Sequence, residues 1–373
     1  MNHTDTPQDA AFDSETVYDK AEKAAEVSKC PACGANLCYR PDAECLACGH
    51  CGNQVKFVSY PGGKLPFSFL LSGQGNKWTD THVFQCNNCG AKEILSRSEI
   101  AKSCGFCGTS NVVATKELSG LKPNAVLPFR LTKENAIERV IAWTKKKFFA
   151  PRRFKEGVTP EDVDGVYSPA FTFDTVTLTR YTGRLGRTET YTTRVKGQTV
   201  TRTRTVYFNI SGTYNGDFRD LLIQASSTIN PKDAAKIQPF DTANSKYYSN
   251  NYLFGFIANQ YTKDGTACWA EAKNQIDTRI KSAVLAKYTY TTVQSFQADT
   301  TYNNTYFRYL LLPVYVGHCG WGKKVYNFFV NGSTGKVTGK TPVSGIRVAL
   351  VALIAAAVIV GSAVGALFGL GHL

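Results

Sequence analysis

The longest apolar run of the chain lies at its end. Val348 to Gly371, "VALVALIAAAVIVGSAVGALFGLG", holds 24 consecutive residues without a charge. As a helix rising about 1.5 Å per residue it would reach about 36 Å, more than the roughly 30 Å hydrocarbon core of a bilayer. The pattern predicts a transmembrane helix over 346–371, and with only His372 and Leu373 beyond it, a tail anchor. Lys336, Lys340 and Arg347 precede the run. By the positive-inside rule this predicts a single pass of the cytoplasmic membrane, with the body in the cytoplasm. Gly361, Gly365 and Gly369 recur every four residues. Such a small-residue stripe suits close pairing with a second copy.

Elsewhere the apolar spacing is that of a soluble body. Thr132 is placed to N-cap a helix whose Ile137, Val140, Ile141 and Phe148 share a face, and Pro151 ends it. "KDGTACWAEAKNQIDTRIKSAVLAKY" reads as a second helix. From Tyr167 to Ile210 the chain is rich in Thr, Tyr, Val and Phe and reads as strands, as do "YLLLPVYV" and "VYNFFV". Asn331-Gly332 is a hairpin turn signal. Residues 124–340 therefore read as one α+β domain with an antiparallel sheet. Residues 1–29 read as an acidic, flexible segment in which Ser14–Ser28 is either a short helix or unstructured.

Cysteine changes the picture upstream of that domain. Ten of the twelve cysteines lie between Cys30 and Cys107. The start of the chain is acidic, with no apolar run to suggest a signal peptide. In a reducing compartment such pairs mean metal rather than disulfide. "CLACGHCG" offers two registers, Cys45-x-x-Cys48 and Cys48-x-x-Cys51. A repeat decides between them: fourteen residues separate Cys89 from Cys104, and fourteen separate Cys33 from Cys48, against eleven from Cys33 to Cys45. Each knuckle chosen this way ends in Gly. The ligand sets are Cys30, Cys33, Cys48, Cys51 in a first zinc ribbon (30–57) and Cys86, Cys89, Cys104, Cys107 in a second (83–115). A connector, 58–82, joins them. Two residues between cysteines let two thiolates from one turn face one ion, and the Gly permits the positive φ that aims N–H groups at sulfur. Four thiolates predict two structural Zn2+ ions, with iron as the alternative. Cys38 and Cys45 are left over, facing each other across a turn at Arg40–Ala43, either as small packing residues or as a redox-sensitive pair. Cys268 and Cys319 read as core residues.

Formal charge is +14; the segment before Cys30 contributes −4, leaving +18 on the rest. A basic body favours an anionic partner: nucleic acid, a membrane surface or an acidic protein. Lys145, Lys146, Lys147, Arg152, Arg153 and Lys155 cluster at a predicted helix end, where they suit the helix dipole or phosphates. "RYTGRLGRTETYTTRVKGQTVTRTRTVYF" sets seven Arg/Lys against the single acid Glu189. Thr and Arg alternate from Thr201 to Thr205, giving one hydroxyl and one cationic face. Arg194, Arg202 and Arg204 are candidate phosphate contacts, and Tyr191 and Tyr207 candidate stacking partners for bases. The same pattern would protect an exposed edge hairpin from aggregation.

These motifs together resemble bacterial tail-anchored zinc-ribbon membrane proteins, of the TFIIB type, often labelled as similar to the primosomal replication-restart helicase. The resemblance is carried by "CPACGANL", "CGHCGNQ", "CNNCGAKE", "CGFCGTS", "LKPNAVLPFRLTKENA", "GVYSPAFTFD", "YLFGFIANQY", "YLLLPVYV" and "NGSTGKVTGKTPVSGIRV". Ala170, Phe171 and Tyr315 stand where Phe, Trp and Trp would be expected. The helicase label fails a physical test. The nearest approach to a P-loop, "TGKVTGKT", has Thr334 at its first glycine position and Pro342 where a helix should begin. The five histidines form no triad or zincin spacing. The expected function is a non-enzymatic, membrane-tethered zinc-ribbon adaptor for a cytoplasmic protein. Membrane-associated nucleic-acid binding and redox or metal sensing are the alternatives.

Overall fold

The computed structural model describes residues 29–72, 81–87, 92–96, 112–115, 121–157, 163–195, 197–322 and 324–369; at 81–85, 92–96, 112–115 and 361–369 the description is of the backbone. The described residues open with a three-stranded antiparallel sheet, β1 (Leu37–Arg40), β2 (Cys45–Cys48) and β3 (Gln54–Val55). Then come β4 (Leu65–Pro66), a short helix at Phe67–Ser72, and β5 (Thr81–Cys86), β6 (Lys92–Ser96), β7 (Val112–Thr115) and β8 (Ala125–Val126). Helices at Lys133–Lys145 and Arg152–Glu156 precede two very long strands, β9 (Val163–Val195) and β10 (Gln198–Gln224). After β11 (Lys246–Tyr247) and β12 (Ile257–Asn259) a helix runs from Gly265 to Leu285. A third long strand, β13 (Thr292–Trp321), leads to β14 (Lys324–Asn331), β15 (Val337–Gly339) and a tail helix, Gly345–Gly369.

Strands β4 to β15 form one twelve-stranded sheet. The α+β class holds, and the sheet is antiparallel apart from two short parallel pairings, β8 with β13 and β9 with β12. Asn331-Gly332 turns β14 into β15, with the Asn331 side chain accepting from the backbone N–H groups of Ser333 and Thr334. The segment Thr334–Thr341 is thus turn and strand.

The Lys133–Lys145 helix begins as expected: the Thr132 hydroxyl accepts from Asn135 N at 3.3 Å, and Ile137 and Val140 are buried. It stops at Lys145, six residues before Pro151. Phe148 is therefore not on its apolar face but beyond its end, and exposed. Pro151 instead precedes the next helix. The core is aromatic. Phe129 stacks on Phe256 (ring centroids 4.2 Å) and packs on Tyr315 and Tyr167, and the Tyr315 hydroxyl donates to Leu131 O at 2.8 Å. Phe171 stacks on Tyr309. The aromatic replacements at 171 and 315 are thus core residues, and Ala170 is fully buried beside them in the sheet. Cys268 and Cys319 are buried, as expected.

Strands β10, β9 and β13 extend beyond the core as an arm. Thr292 pairs with Gly186, so past that point only β9 and β10 remain. The Gly265–Leu285 helix lies along one face of the arm, with Trp269, Ile276 and Ile280 buried. That face of β9 carries Thr175, Thr177, Thr179 and Tyr181, all buried; Val176 and Leu178 face outward and are exposed. The inward threonines are satisfied across strands: Thr175 bonds Thr305 and Thr179 bonds Thr300, both at 3.0 Å.

The arm leaves the core at paired irregularities. β10 shifts register between Phe218 and Leu221, and β13 between Asn303 and Tyr306. Asp220 (φ 48) and Asn304 (φ 49) take the left-handed conformation there, and bulges of this kind bend strands and increase their twist. The bend is locked by charge. Buried Arg308 donates to Asp220, Ser245 and the Thr242 carbonyl, and Lys64 pairs with Asp174. Lys64 belongs to the connector, which is woven into the body: Tyr60 O accepts from Tyr247 N, and β4 pairs with β13.

Candidate metal centre

The first cysteine set converges. The sulfurs of Cys30, Cys33, Cys48 and Cys51 all lie within 4.8 Å of one another. Cys30 Sγ is 3.5 Å from Cys51 Sγ, and Cys33 Sγ is 3.5 Å from Cys48 Sγ. Thiolates at about 2.3 Å from a tetrahedral Zn2+ stand roughly 3.8 Å apart, so the cage closes around an ion with small movements. The two knuckles are built alike. Gly34 N donates to Cys30 O and Gly52 N to Cys48 O, and Gly34 (φ 73) and Gly52 (φ 75) take the positive φ expected of them. The first cysteine of each knuckle is buried and the second exposed.

The four thiols do not share one electrostatic environment. Burial pushes the Cys30 thiol up, but the N–H groups of Ala32 and Cys33 and the neighbouring thiols outweigh it and draw it down to about 6. The Ala35 N–H lowers Cys33, yet Cys51 and Cys48 beside it drive it up to about 12. The N–H groups of Cys51 and His50 lower Cys48. The Asn53 N–H and Cys33 lower Cys51, but Cys30, burial and Cys48 raise it on balance. One thiol per knuckle is thus lowered and its partner raised, and a cation among the four sulfurs would favour the thiolate in all of them. Four soft sulfur donors with no water position fit zinc in a structural site.

Of the second predicted set, Cys86 ends β5 and is buried, while Cys89, Cys104 and Cys107 lie outside the described residues. Among the described residues there is one four-cysteine group. The leftover pair behaves differently from the expectation. Cys45 pairs with Arg40 and Cys38 with Ala47. The two are diagonal, not opposite, because the turn sits one residue later, at Pro41–Glu44. Cys45 is buried, and Cys38 lies against Gly255, whose Cβ, if present, would stand 3.1 Å from that of Cys38. This contact is part of a docking that sequence reasoning missed. Tyr39 N donates to Phe254 O at 2.8 Å, and Tyr39 and Phe57 pack edge-on against Tyr252. The one signal was the glycine inside "YLFGFIANQY", a close-approach residue between aromatics.

The arm tip divides the five nucleic-acid candidates. Arg202 is paired directly with Tyr191, and Arg204 lies over the Tyr191 ring at 5.6 Å. These three share a face with Arg187 and Glu189. Glu189 bonds both Arg187 (2.8 Å) and Arg204 (3.4 Å), which hold its carboxyl below the usual range. Arg194 and Tyr207 fall on the other face, and Arg184 lies over Tyr207 at 5.5 Å. That second face is otherwise a ladder of exposed threonines: Thr188, Thr190, Thr192, Thr199, Thr201, Thr203 and Thr205. The expected hydroxyl and cationic faces are both present.

Among the described residues no helix is long and apolar enough to cross a membrane. The tail helix comes nearest, with side chains described as far as Val360. From Ile346 to Val360 every residue except Arg347 is exposed. Gly361, Gly365 and Gly369 continue the helix as backbone.

A Bacillus subtilis (strain 168) protein, described as uncharacterized protein YdjG, is 28% identical over 323 residues, spanning 86% of this chain and 91% of that protein. The relation is distant but covers most of both chains. No family model matches the chain, and no solved structure does.

Proposed function

We propose that this protein is a non-enzymatic, membrane-anchored adaptor: a zinc ribbon fixed to an α+β body, held at the cytoplasmic face of a membrane and presenting its arm to a cytoplasmic protein. One observation carries the reading. As far as Val360 the tail helix leaves Val348, Leu350, Leu353, Ile354, Val358, Ile359 and Val360 exposed, with no face turned to the body. Residues apolar all round a helix are buried in a protein core or in lipid. The body does not cover these, so lipid supports the reading best, and the sequence continues uncharged to Gly371. The ribbon supports an adaptor because its cage is closed and structural, and because it is docked on Phe254 rather than hanging free. The arm offers reach: from Thr175 to Val195, β9 extends up to about 65 Å at roughly 3.3 Å per residue.

The test is fractionation. The full chain should float with vesicles through an alkaline wash. A chain ending before Ile346 should stay in the soluble fraction with its circular dichroism and metal content unchanged. A truncated chain that remains with the membrane, or loses its fold, would show that the tail helix belongs to the body.

A further inference from the structure

The root of the tail helix is fastened to one loop. Ser344 N donates to Phe149 O at 2.8 Å. The Arg347 guanidinium donates to the carbonyls of Phe148 and Ala150 and lies over the Phe148 ring at 5.8 Å. Arg347 is the last charge before the uncharged run. With a rise of about 1.5 Å per residue, the loop therefore stands within about one helical turn of that run.

The loop has an unusual surface. Phe148 is 60% and Phe149 41% exposed, their rings edge to face at 5.3 Å. Basic side chains surround them. Three of these have local work: Lys147 lies over Trp143, Arg152 pairs with Glu156, and Lys155 caps the Lys145 carbonyl. Lys145, Lys146 and Arg153 are exposed, and no acid among the described residues pairs with them. Complementing helix ends accounts for Lys145 and Arg153, each in the last turn of its helix, but not for the two phenylalanines.

We infer that this loop is a second membrane contact, in which Phe148 and Phe149 enter the headgroup region and Lys145, Lys146 and Arg153 face anionic lipid phosphates. The inference rests on the proposed membrane anchor. Apolar rings flanked by Lys and Arg are the composition of an interfacial segment, and each cation near an anionic surface strengthens contact about fivefold. A nucleic acid at this position would be pressed against a like-charged bilayer, so lipid is the partner the charge fits. The consequence is orientation: two points of contact, the helix and its root, fix how the body and arm stand on the membrane.

The test uses the full chain carrying Phe149→Trp, in phosphatidylcholine vesicles with or without phosphatidylglycerol, the lipids brominated high on the acyl chain. Wild-type chain gives the background from the native tryptophans, and Phe148→Trp is an independent second probe. The added tryptophan should be quenched in phosphatidylglycerol vesicles. Adding Lys145→Gln, Lys146→Gln and Arg153→Gln should return quenching to the phosphatidylcholine level, while flotation is unchanged. Chains that float but leave both probes unquenched would overturn the inference and leave the anchor standing. Chains that do not float would overturn both.

Discussion

Two hairpins of this chain, β1–β2 and β9–β10, are antiparallel pairs held in place by opposite means. The first has four-residue strands, far too short to stand alone. Its order comes from the four-sulfur cage at its open end and from Tyr39 docked on Phe254 and Tyr252. The second runs for more than twenty-five residues per strand. Its base is held by the Gly265–Leu285 helix and the Arg308 cluster, and its tip by cross-strand pairs alone. A short hairpin needs chemistry at its ends, whereas a long one can borrow rigidity from its base and leave the tip free to carry a surface.

The sharpest test of that contrast is at the ribbon. Cys48→Ser should lose the first metal ion and unfold β1–β3. Structural zinc contributes apparent free energies of about 10–16 kcal/mol at neutral pH. Cys45→Ser should keep it, because Cys45 faces Arg40 and is no part of the cage. Zinc stoichiometry after purification under reducing conditions reads both. Loss of metal in Cys45→Ser with retention in Cys48→Ser would reverse the assignment.

The next test is at the base of the arm. Arg308→Ala would remove the donor to the Ser245 hydroxyl and the Thr242 carbonyl and leave Asp220 with Lys64, 3.5 Å away, as its remaining cation. Removing one partner of a buried pair costs about 3–5 kcal/mol. Because Asp220 retains partial exposure, the lower end is expected, about 3 kcal/mol in urea unfolding. A cost under about 1 kcal/mol would mean that the bulges hold the bend without the charge.

What the sequence revealed follows the same division. The first cage was legible because a ligand set is written in spacing, and the repeat chose the four cysteines that converge there, Cys30, Cys33, Cys48 and Cys51, over Cys45. The faces of the arm tip were legible because strand alternation is strict. The length of the arm was not, since Thr and Val spacing sets a face and not where a strand ends. Nor was the bend: Asp220 lies 88 positions from Arg308, and it is meaningful only together with Arg308 and Asn304. The reach of the Lys133–Lys145 helix was overread because Phe148 fits its period, although the chain leaves the helix at Lys145. The fastening of Arg347 to that loop spans about two hundred residues and leaves no local trace.

The smallest stability effect is expected at the arm tip, where function and fold separate. Arg202→Ala with Arg204→Ala should change stability by no more than about 0.5 kcal/mol, since both side chains are exposed. If the tip were a nucleic-acid surface, the same pair would matter for binding. Taking two cations away from the phosphates of a single strand should flatten the slope of log affinity against log salt by about 1.4. Tyr191→Ala should then cost about 1–3 kcal/mol of affinity. Arg194→Ala, on the threonine face, should act independently of the other two. The structure favours a weaker outcome. Glu189 already occupies Arg187 and Arg204, and Arg204 and Arg184 each cover a face of a tyrosine that a base would need. Single-stranded DNA and RNA are therefore expected to bind only weakly at physiological salt, with no response to Tyr191→Ala. Micromolar or tighter binding, abolished in the double arginine variant, would make the tip a nucleic-acid site after all.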